Sequence, residues 1–370
     1  MEAHDDGGRS ALRAIAVAAI ALAGFAFALL PPAERIDAFL LDAEWRILRR
    51  FDPRPAPDDI VIVGVDEASV KAIPEPPGLW HAALGRVLAR IAAARPRAIG
   101  FELPLPERSF DGVKPGLDRA LFDGLATAVE AGPFVTVLTI DARTRGARNI
   151  HKPFLALLGE SRLGIDLAAR DPDGVVRRYS LVVPTEDGGF PTFEGRLCRA
   201  MNRSCNDGLI HYALGKPFEY VPLATVMASS DPRALERLFR DRIVLIGEAQ
   251  AFTDRIDVPI NLAAWEGDTR TAPGVVVHAQ TLRTALAGAA PQEASRPLVL
   301  VLLSLSALVF LVRRTRIALV AALAIAAAIG AVALFALRGG LFLPVTPILF
   351  TLLLALGLRA VLARRERRKS

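Results

Sequence analysis

The sequence predicts an α/β extracytoplasmic domain with a mixed, partly parallel sheet, carried on four transmembrane helices. Three observations predict it. Four uncharged apolar stretches enclose a polar block, residues 31–296, that has no such stretch. Short β-branched runs alternate with helical periods along that block. Basic residues gather in the links beside the last apolar stretches.

The stretches are Ala14–Leu30, Pro297–Val312, Ile317–Leu337 and Leu341–Leu358. A bilayer core asks for about 20 apolar residues per helix, so local thinning or flanking residues must help the shorter ones. Residues 14–30 carry Ala26-Phe27-Ala28, a small-x-small site that a cleaved signal peptide also shows. The length of that stretch exceeds a usual signal core and favours a retained helix.

Arg313, Arg314 and Arg316 fill the link between the second and third spans, and Arg359, Arg364, Arg365, Arg367, Arg368 and Lys369 follow the fourth. The positive-inside rule puts both segments in the cytoplasm, with Arg338-Gly339-Gly340 outside. Residues 1–13 and the tail 359–370 are then cytoplasmic, and 31–296 faces outward. The formal net charge is +6. The span-flanking segments carry more than this, leaving the outward block at about −2. The basicity is an orientation signal with attraction to anionic headgroups, and no nucleic-acid footprint is visible.

Within the block, Ile60–Val65 reads as a buried strand and Pro96–Leu103 contains a second, Arg-Ala-Ile-Gly-Phe, with a helical period over His81–Ala94 between them. That βαβ pattern predicts two parallel strands joined by a right-handed crossover, and makes them candidate neighbours. Leu117–Ala131 follows as a helix and Phe134–Ile140 as a strand. Asp171-Pro-Asp-Gly174 supplies turn chemistry for an antiparallel hairpin between Leu163–Ala168 and Val175–Val183. Pro191–Met201 is helical, Arg242–Gly247 is another buried strand, and Gly274–Leu286 opens with extended Val-Val-Val and closes as a helix. Trp45, beside Phe39, Leu40 and Leu41, reads as part of an interfacial helix or a stalk next to the membrane.

Cys198 and Cys205 are the only cysteines. An oxidising compartment favours their pairing, while the apolar pattern Phe193, Leu197, Met201 also accommodates Cys198 as a buried thiol. The pattern G-x-S-x-G, the phosphate-binding G-x-x-x-x-G-K-[ST] and G-x-G-x-x-G do not occur, so hydrolase, nucleotidase and dinucleotide-binding readings have no motif. The five histidines show no metal-ligand spacing.

Seven segments occur in a fixed order: Ile-Val-Ile-Val-Gly-Val-Asp-Glu-Ala-Ser (60–69), Gly78-Leu-Trp80, Ala98-Ile-Gly-Phe-Glu102, Asp171-Pro-Asp-Gly-Val-Val-Arg177, Arg242-Ile-Val-Leu-Ile-Gly247, Thr253-Asp254 with Pro259, and Ala272-Pro-Gly-Val-Val-Val-His-Ala279. Together with one span before and three after, they resemble the second type of CHASE domain, the cyclase/histidine-kinase-associated sensory extracellular family. The chain differs in carrying Glu102 where the third motif usually has Asp, and Trp-His-Ala-Ala where a Pro-Trp-x-Arg ending is usual. The resemblance implies an extracytoplasmic sensor in a bacterial inner (plasma) membrane. Its signal would pass through the spans to a cytoplasmic or membrane output protein such as a cyclase or kinase. Twelve residues follow Leu358 in this sequence, too few for a catalytic domain, so the partner is expected to be separate.

Ligands of open α/β sheets bind beyond the carboxyl ends of strands. Asp66, Glu67 and Glu102 follow two such strands and, with Asp254, His278 and Arg177, are the candidate ligand-binding residues for an unknown small molecule. Five of them have a specific structural alternative: Asp66 as a helix cap, Glu102 in an arginine pair, Asp254 as a turn residue, His278 as a hydrogen-bonded packing residue, and Arg177 on a hairpin's solvated face. No cofactor is expected; a divalent cation such as Mg or Ca held by the acids is the alternative. The rival functional readings are an envelope scaffold and a divalent-metal-dependent envelope enzyme.

Overall fold

The computed structural model describes residues 3–140, 146–185 and 188–369. The extreme ends of the two tails, Met1, Glu2 and Ser370, therefore lie outside the described residues. In chain order the elements are α1 (Ala3–Ala28), α2 (Pro31–Phe51), β1 (Ile60–Val65), α3 (Glu67–Ala72), α4 (His81–Ala93), β2 (Ala98–Phe101), α5 (Leu117–Ala131) and β3 (Phe134–Leu138). They continue with α6 (Lys152–Leu158), β4 (Leu163–Ile165), α7 (Phe193–Ala200), β5 (Tyr220–Pro222), α8 (Leu223–Ala228), α9 (Pro232–Phe239) and β6 (Ile243–Glu248). The last are α10 (Gly274–Leu286), α11 (Arg296–Ala307), α12 (Thr315–Arg338) and α13 (Thr346–Lys369). The chain separates into two compact units, Arg49–Ala290 and the joined segments Met1–Leu48 and Pro291–Ser370.

The Arg49–Ala290 unit is built on one six-stranded sheet in the order β4-β3-β2-β6-β1-β5. Every adjacent pair in it is parallel. Strands buried on both faces read as continuous apolar runs rather than alternating ones, which is why Ile-Val-Ile-Val-Gly-Val and Ile-Val-Leu-Ile-Gly occupy the middle of the sheet. Among the described residues antiparallel pairing occurs in two-stranded ladders such as Arg255–Asp257 with Thr271–Pro273 and Val182–Val183 with Phe190–Pro191, and in isolated bridges. One face of the sheet is covered by α4, α5, α8 and α9, whose Val87, Leu88, Leu125, Val226 and Phe239 pack on Val63, Phe101 and Ile246. The other face carries α7 and α10.

Three expectations need correction. First, β1 and β2 are parallel but not neighbours, because β6, from about 140 residues later, pairs with both. Second, residues 163–168 and 175–183 form no common hairpin: β4 joins the sheet edge beside β3, and the turn at Asp171–Gly174 closes only the Arg170–Val176 bridge. Third, Val275–Val277 are helical. Nearly every residue of α10 is buried between the sheet and α7, and burial on all sides overrides the strand preference of a β-branched run.

In the other unit, α1, α12 and α13 are long and apolar enough to cross a bilayer. The second predicted span is shorter, a twelve-residue α11 continued by a 3₁₀ turn over Leu308–Leu311. The fourth begins at Thr346 rather than Leu341, since Leu341–Phe342 pair in parallel with Gln292–Glu293. Helix α1 packs on α11 and α13, with Ile20, Leu303, Ile348 and Leu352 in the shared core. Trp45 lies on a helix as expected, but on its packed side with Ala33, Leu41 and Leu48, fully buried. From the same helix the Asp37 carboxylate accepts the Thr346 N–H at 2.9 Å and so caps α13.

Candidate functional site

Strand ends create this site. The chain leaves β2 at Glu102, whose N–H still donates to the Ile246 carbonyl at 2.8 Å, and leaves β4 at Asp166. Helix α7 starts at Phe193 behind the Thr192 cap, which accepts the Gly195 N–H and sets Glu194 in the first turn. Helix α10 starts at Gly274, so His278 sits one turn in. The parallel sheet and the two helices on one face bring these four side chains together.

His278 is the centre. Its Nδ1 lies 2.6 Å from Glu194 Oε1 and its Nε2 3.1 Å from Asp166 Oδ1, while Glu102 Oε1 stands 3.9 Å from Nε2. The Phe193 ring meets the imidazole edge-on at 5.4 Å. Two glycines make room for Glu102. A Cβ on Gly247 would come within 1.8 Å of Glu102 Oε2, and one on Gly274 within 2.0 Å of Asp254 Oδ2 and 2.9 Å of Glu102 Oε1. The Asp254 carbonyl accepts the Gly274 N–H at 3.0 Å, tying its loop to the start of α10.

The electrostatics follow from burial and these contacts. Burial opposes a charged imidazole, but Glu194 and Asp166 against its two nitrogens hold the His278 pKa well above its ordinary value. Burial pushes the Glu102 carboxyl well above the usual carboxylate range; Asp254 and Asp166 push the same way and His278 opposes them. Asp166 is also buried, yet its hydrogen bond to His278 brings its pKa below the ordinary value. Glu248, at the end of β6, is raised by burial and by Asp254. The directions of these shifts favour a charged imidazole between Glu194 and Asp166, beside a Glu102 carboxyl biased toward its neutral form. Glu102 Oε2 is buried without a hydrogen-bond partner among the described residues. Among the described residues no group of three His, Cys, Asp or Glu side chains is arranged to hold a metal ion.

Of the residues singled out in the sequence, Glu102, His278 and Asp254 come together here. Asp66 does not join them. It caps α3 by accepting from the Ser69 N–H at 2.8 Å and the Ser69 hydroxyl at 2.6 Å, and it accepts from Tyr220 at 3.1 Å. With β6 between their strands, Asp66 and Glu102 sit about 10 Å apart by strand spacing and serve separate hydrogen-bonded groups. Glu67 is exposed, accepting a long 3.4 Å contact from the Ala251 N–H. Arg177 is buried rather than solvated and forks onto Asp173 at 2.9 and 2.7 Å, with Asp171 at 3.1 Å, which fixes the turn at 171–174. Cys198 and Cys205 are joined in a disulfide that closes the end of α7.

Asp166 and Glu194 escaped the sequence reading. For Asp166 a signal exists: Gly64-Val-Asp66, Gly100-Phe-Glu102 and Gly164-Ile-Asp166 repeat one glycine-apolar-acid ending on three strands of one sheet. For Glu194 there is only the local cap pattern Thr192-Phe-Glu, which says nothing of a distant histidine.

The CHASE2 domain family model matches residues 15–326. Neither a curated protein nor a solved structure matches the chain. CHASE2 domains are sensory extracellular domains, and the apolar helices here are consistent with membrane anchoring. The match spans most of the length, from within α1 to within α12, and includes the six-stranded sheet and the buried cluster: this chain belongs to the CHASE2 domain family.

Proposed function

We propose that this protein is a membrane-anchored extracytoplasmic sensor that relays the state of its domain through its transmembrane helices to an output protein, such as a cyclase or kinase, on the cytoplasmic side. One observation carries the reading beyond family membership. The chain leaves α10 at Leu286 and by Gln292 is hydrogen-bonded to the α12–α13 link, through Gln292–Glu293 against Leu341–Phe342. Thr346, four residues past that ladder, is where Asp37 caps α13. The entry and exit segments of the sensory domain thus both grip the head of the last span.

The same ladder supports four crossings. Residues 292–293 and 341–342 pair only if they lie on one side of the membrane, so α11 and α12 must cross an even number of times between them. One crossing by α12, which is long enough to span, and one by the shorter apolar α11 meet that condition. Twelve helical residues and a 3₁₀ turn rise about 26 Å, against a core of about 30 Å, a mismatch that local thinning absorbs. With the basic links inside, the large domain and the 339–345 link face outward, in an inner (plasma) membrane.

The test is a chimera with an adenylate cyclase catalytic domain fused after Ser370, expressed in cells lacking their own cyclase. Cyclic nucleotide output is expected to change when Glu102→Gln alters the domain or when Asp37→Ala frees the head of α13, at equal membrane abundance. Identical output from these variants, the parent and a chimera deleted for residues 49–290 would remove the relay.

A further inference from the structure

We infer that the open carboxyl edge of β2 and β3 holds a binding site for a small organic acid with an aromatic or similarly flat apolar body. A cavity of about 480 Å³ lies there, apart from the buried cluster, within the usual range for small-molecule sites. Leu105 and Phe110 from the segment after β2, Val137 from β3 and Ile150 from the segment before α6 supply apolar walls. Such walls disfavour a heavily hydrated polyol or a bare phosphate, which would lose water without replacement hydrogen bonds.

Two polar groups among the lining residues set the head group. The Thr139 hydroxyl is buried and has no hydrogen-bond partner among the described residues, a state that costs stability unless something completes it. Arg108 is exposed, 6.0 Å from the Phe110 ring centroid, and makes no ion pair among the described residues. The neighbouring Glu107 is already taken by Arg148, whose Nε lies 2.7 Å from its Oε1. Among the described residues one cation is therefore left over at the rim, and one buried hydroxyl belongs to a lining residue. A single carboxylate on a flat apolar body suits this rim, with the Arg108 guanidinium as its charged partner and Phe110 against the ring.

The proposal deepens the sensor reading and rests on it only for its purpose, because the walls run directly on from Glu102. Leu103 to Phe110 leave the sheet at that residue, and the Pro106 carbonyl accepts the His151 N–H at 2.7 Å at the head of α6. Filling the cavity loads the strand end that borders the buried cluster around His278.

The experiment is fluorine NMR of 4-fluorophenylacetate with the full-length protein in nanodiscs of phosphatidylcholine and phosphatidylglycerol. Saturable binding is expected, weakened about tenfold or more by Arg108→Gln and by Phe110→Ala, and unchanged by Arg119→Gln on an exposed helix face. The neutral 4-fluorophenylethanol is expected to bind at least tenfold more weakly. No saturable binding at millimolar acid, or equal binding by the parent and Arg108→Gln, overturns the site. If the acid binds as expected but leaves the cyclase chimera's output unmoved, the sensor reading fails and the site stands. If output responds to Glu102→Gln while the acid does not bind, the site fails and the sensor reading stands.

Discussion

His278 on α10 and Glu194 on α7 share a buried contact of 2.6 Å between Nδ1 and Oε1, and Asp166 takes the other ring nitrogen at 3.1 Å. One side chain thus holds together two helices and a strand end over the same face of the sheet. Its energetic consequence depends on protons, because removing the imidazolium charge leaves acids buried without a counter-charge.

Stability is expected to fall as pH rises from mildly acidic to alkaline values. The folded-state pKa of Glu102 lies well above its ordinary 4.5, so its stabilising contribution is full below that value and is lost as pH rises through the folded value. The same holds for His278, whose contribution is full below 6.5 and is lost through its raised folded value. Asp166, lowered from 3.8, acts oppositely and withdraws its contribution only in strong acid. Thermal midpoints between about pH 5 and 9 check this. Glu102→Gln should flatten the slope by removing one of the two groups, and a midpoint that climbs with pH in the parent would contradict the assignment.

Replacing His278 by Ala should destabilise the domain by about 3–5 kcal/mol, the usual cost of leaving a buried ionic partner uncompensated. Arg119→Ala breaks only an exposed pair with Asp123 one helical turn away and should cost under about 1 kcal/mol. Urea unfolding followed by circular dichroism compares them. Equal costs would mean that the cluster is not ionic.

The disulfide between Cys198 and Cys205 closes a short loop, and in the chain-entropy account it stabilises by about 2.5 kcal/mol. Reduction should lower the urea midpoint by a corresponding amount, and both thiols should resist alkylation until a reductant is added. Labelling of the unfolded protein without reductant would show free cysteines and remove the bridge.

Topology reporters give a three-armed check. A fusion after Ser370 should report from the cytoplasm, and an insertion at Gly188–Gly189 from outside. A cysteine at Gly340, beside the ladder formed by residues 341–342, should be labelled by an impermeant reagent from outside. Labelling at Gly340 only in inverted vesicles would place the two ladder strands on opposite sides and break the relay geometry.

Much of the fold was legible in the sequence because its causes are local. Leu117–Ala131 is the predicted helix to the residue, since apolar spacing and the following Gly132 are properties of that segment alone. The strands beginning at Ile60, Ala98, Phe134 and Ile243 announce themselves because burial on both faces demands unbroken apolar runs. The apolar stretches and basic links depend only on hydrocarbon thickness and charge.

Tertiary structure alone decided which strand lies beside which. Nothing near residue 60 or 100 records that residue 243 will enter between them, and that insertion separates Asp66 from Glu102. The same holds for α10, where the local strand preference of Val275–Val277 yields to the burial available against the sheet and α7. It holds most of all for the cluster itself. Glu102, Asp166, Glu194 and His278 span 176 positions of chain, and their contact energies arise only after the parallel sheet has aligned its carboxyl edge and excluded water from it. Spacing along a sequence carries the chemistry of each side chain, whereas the low-dielectric proximity that shifts their protons exists only in the folded chain.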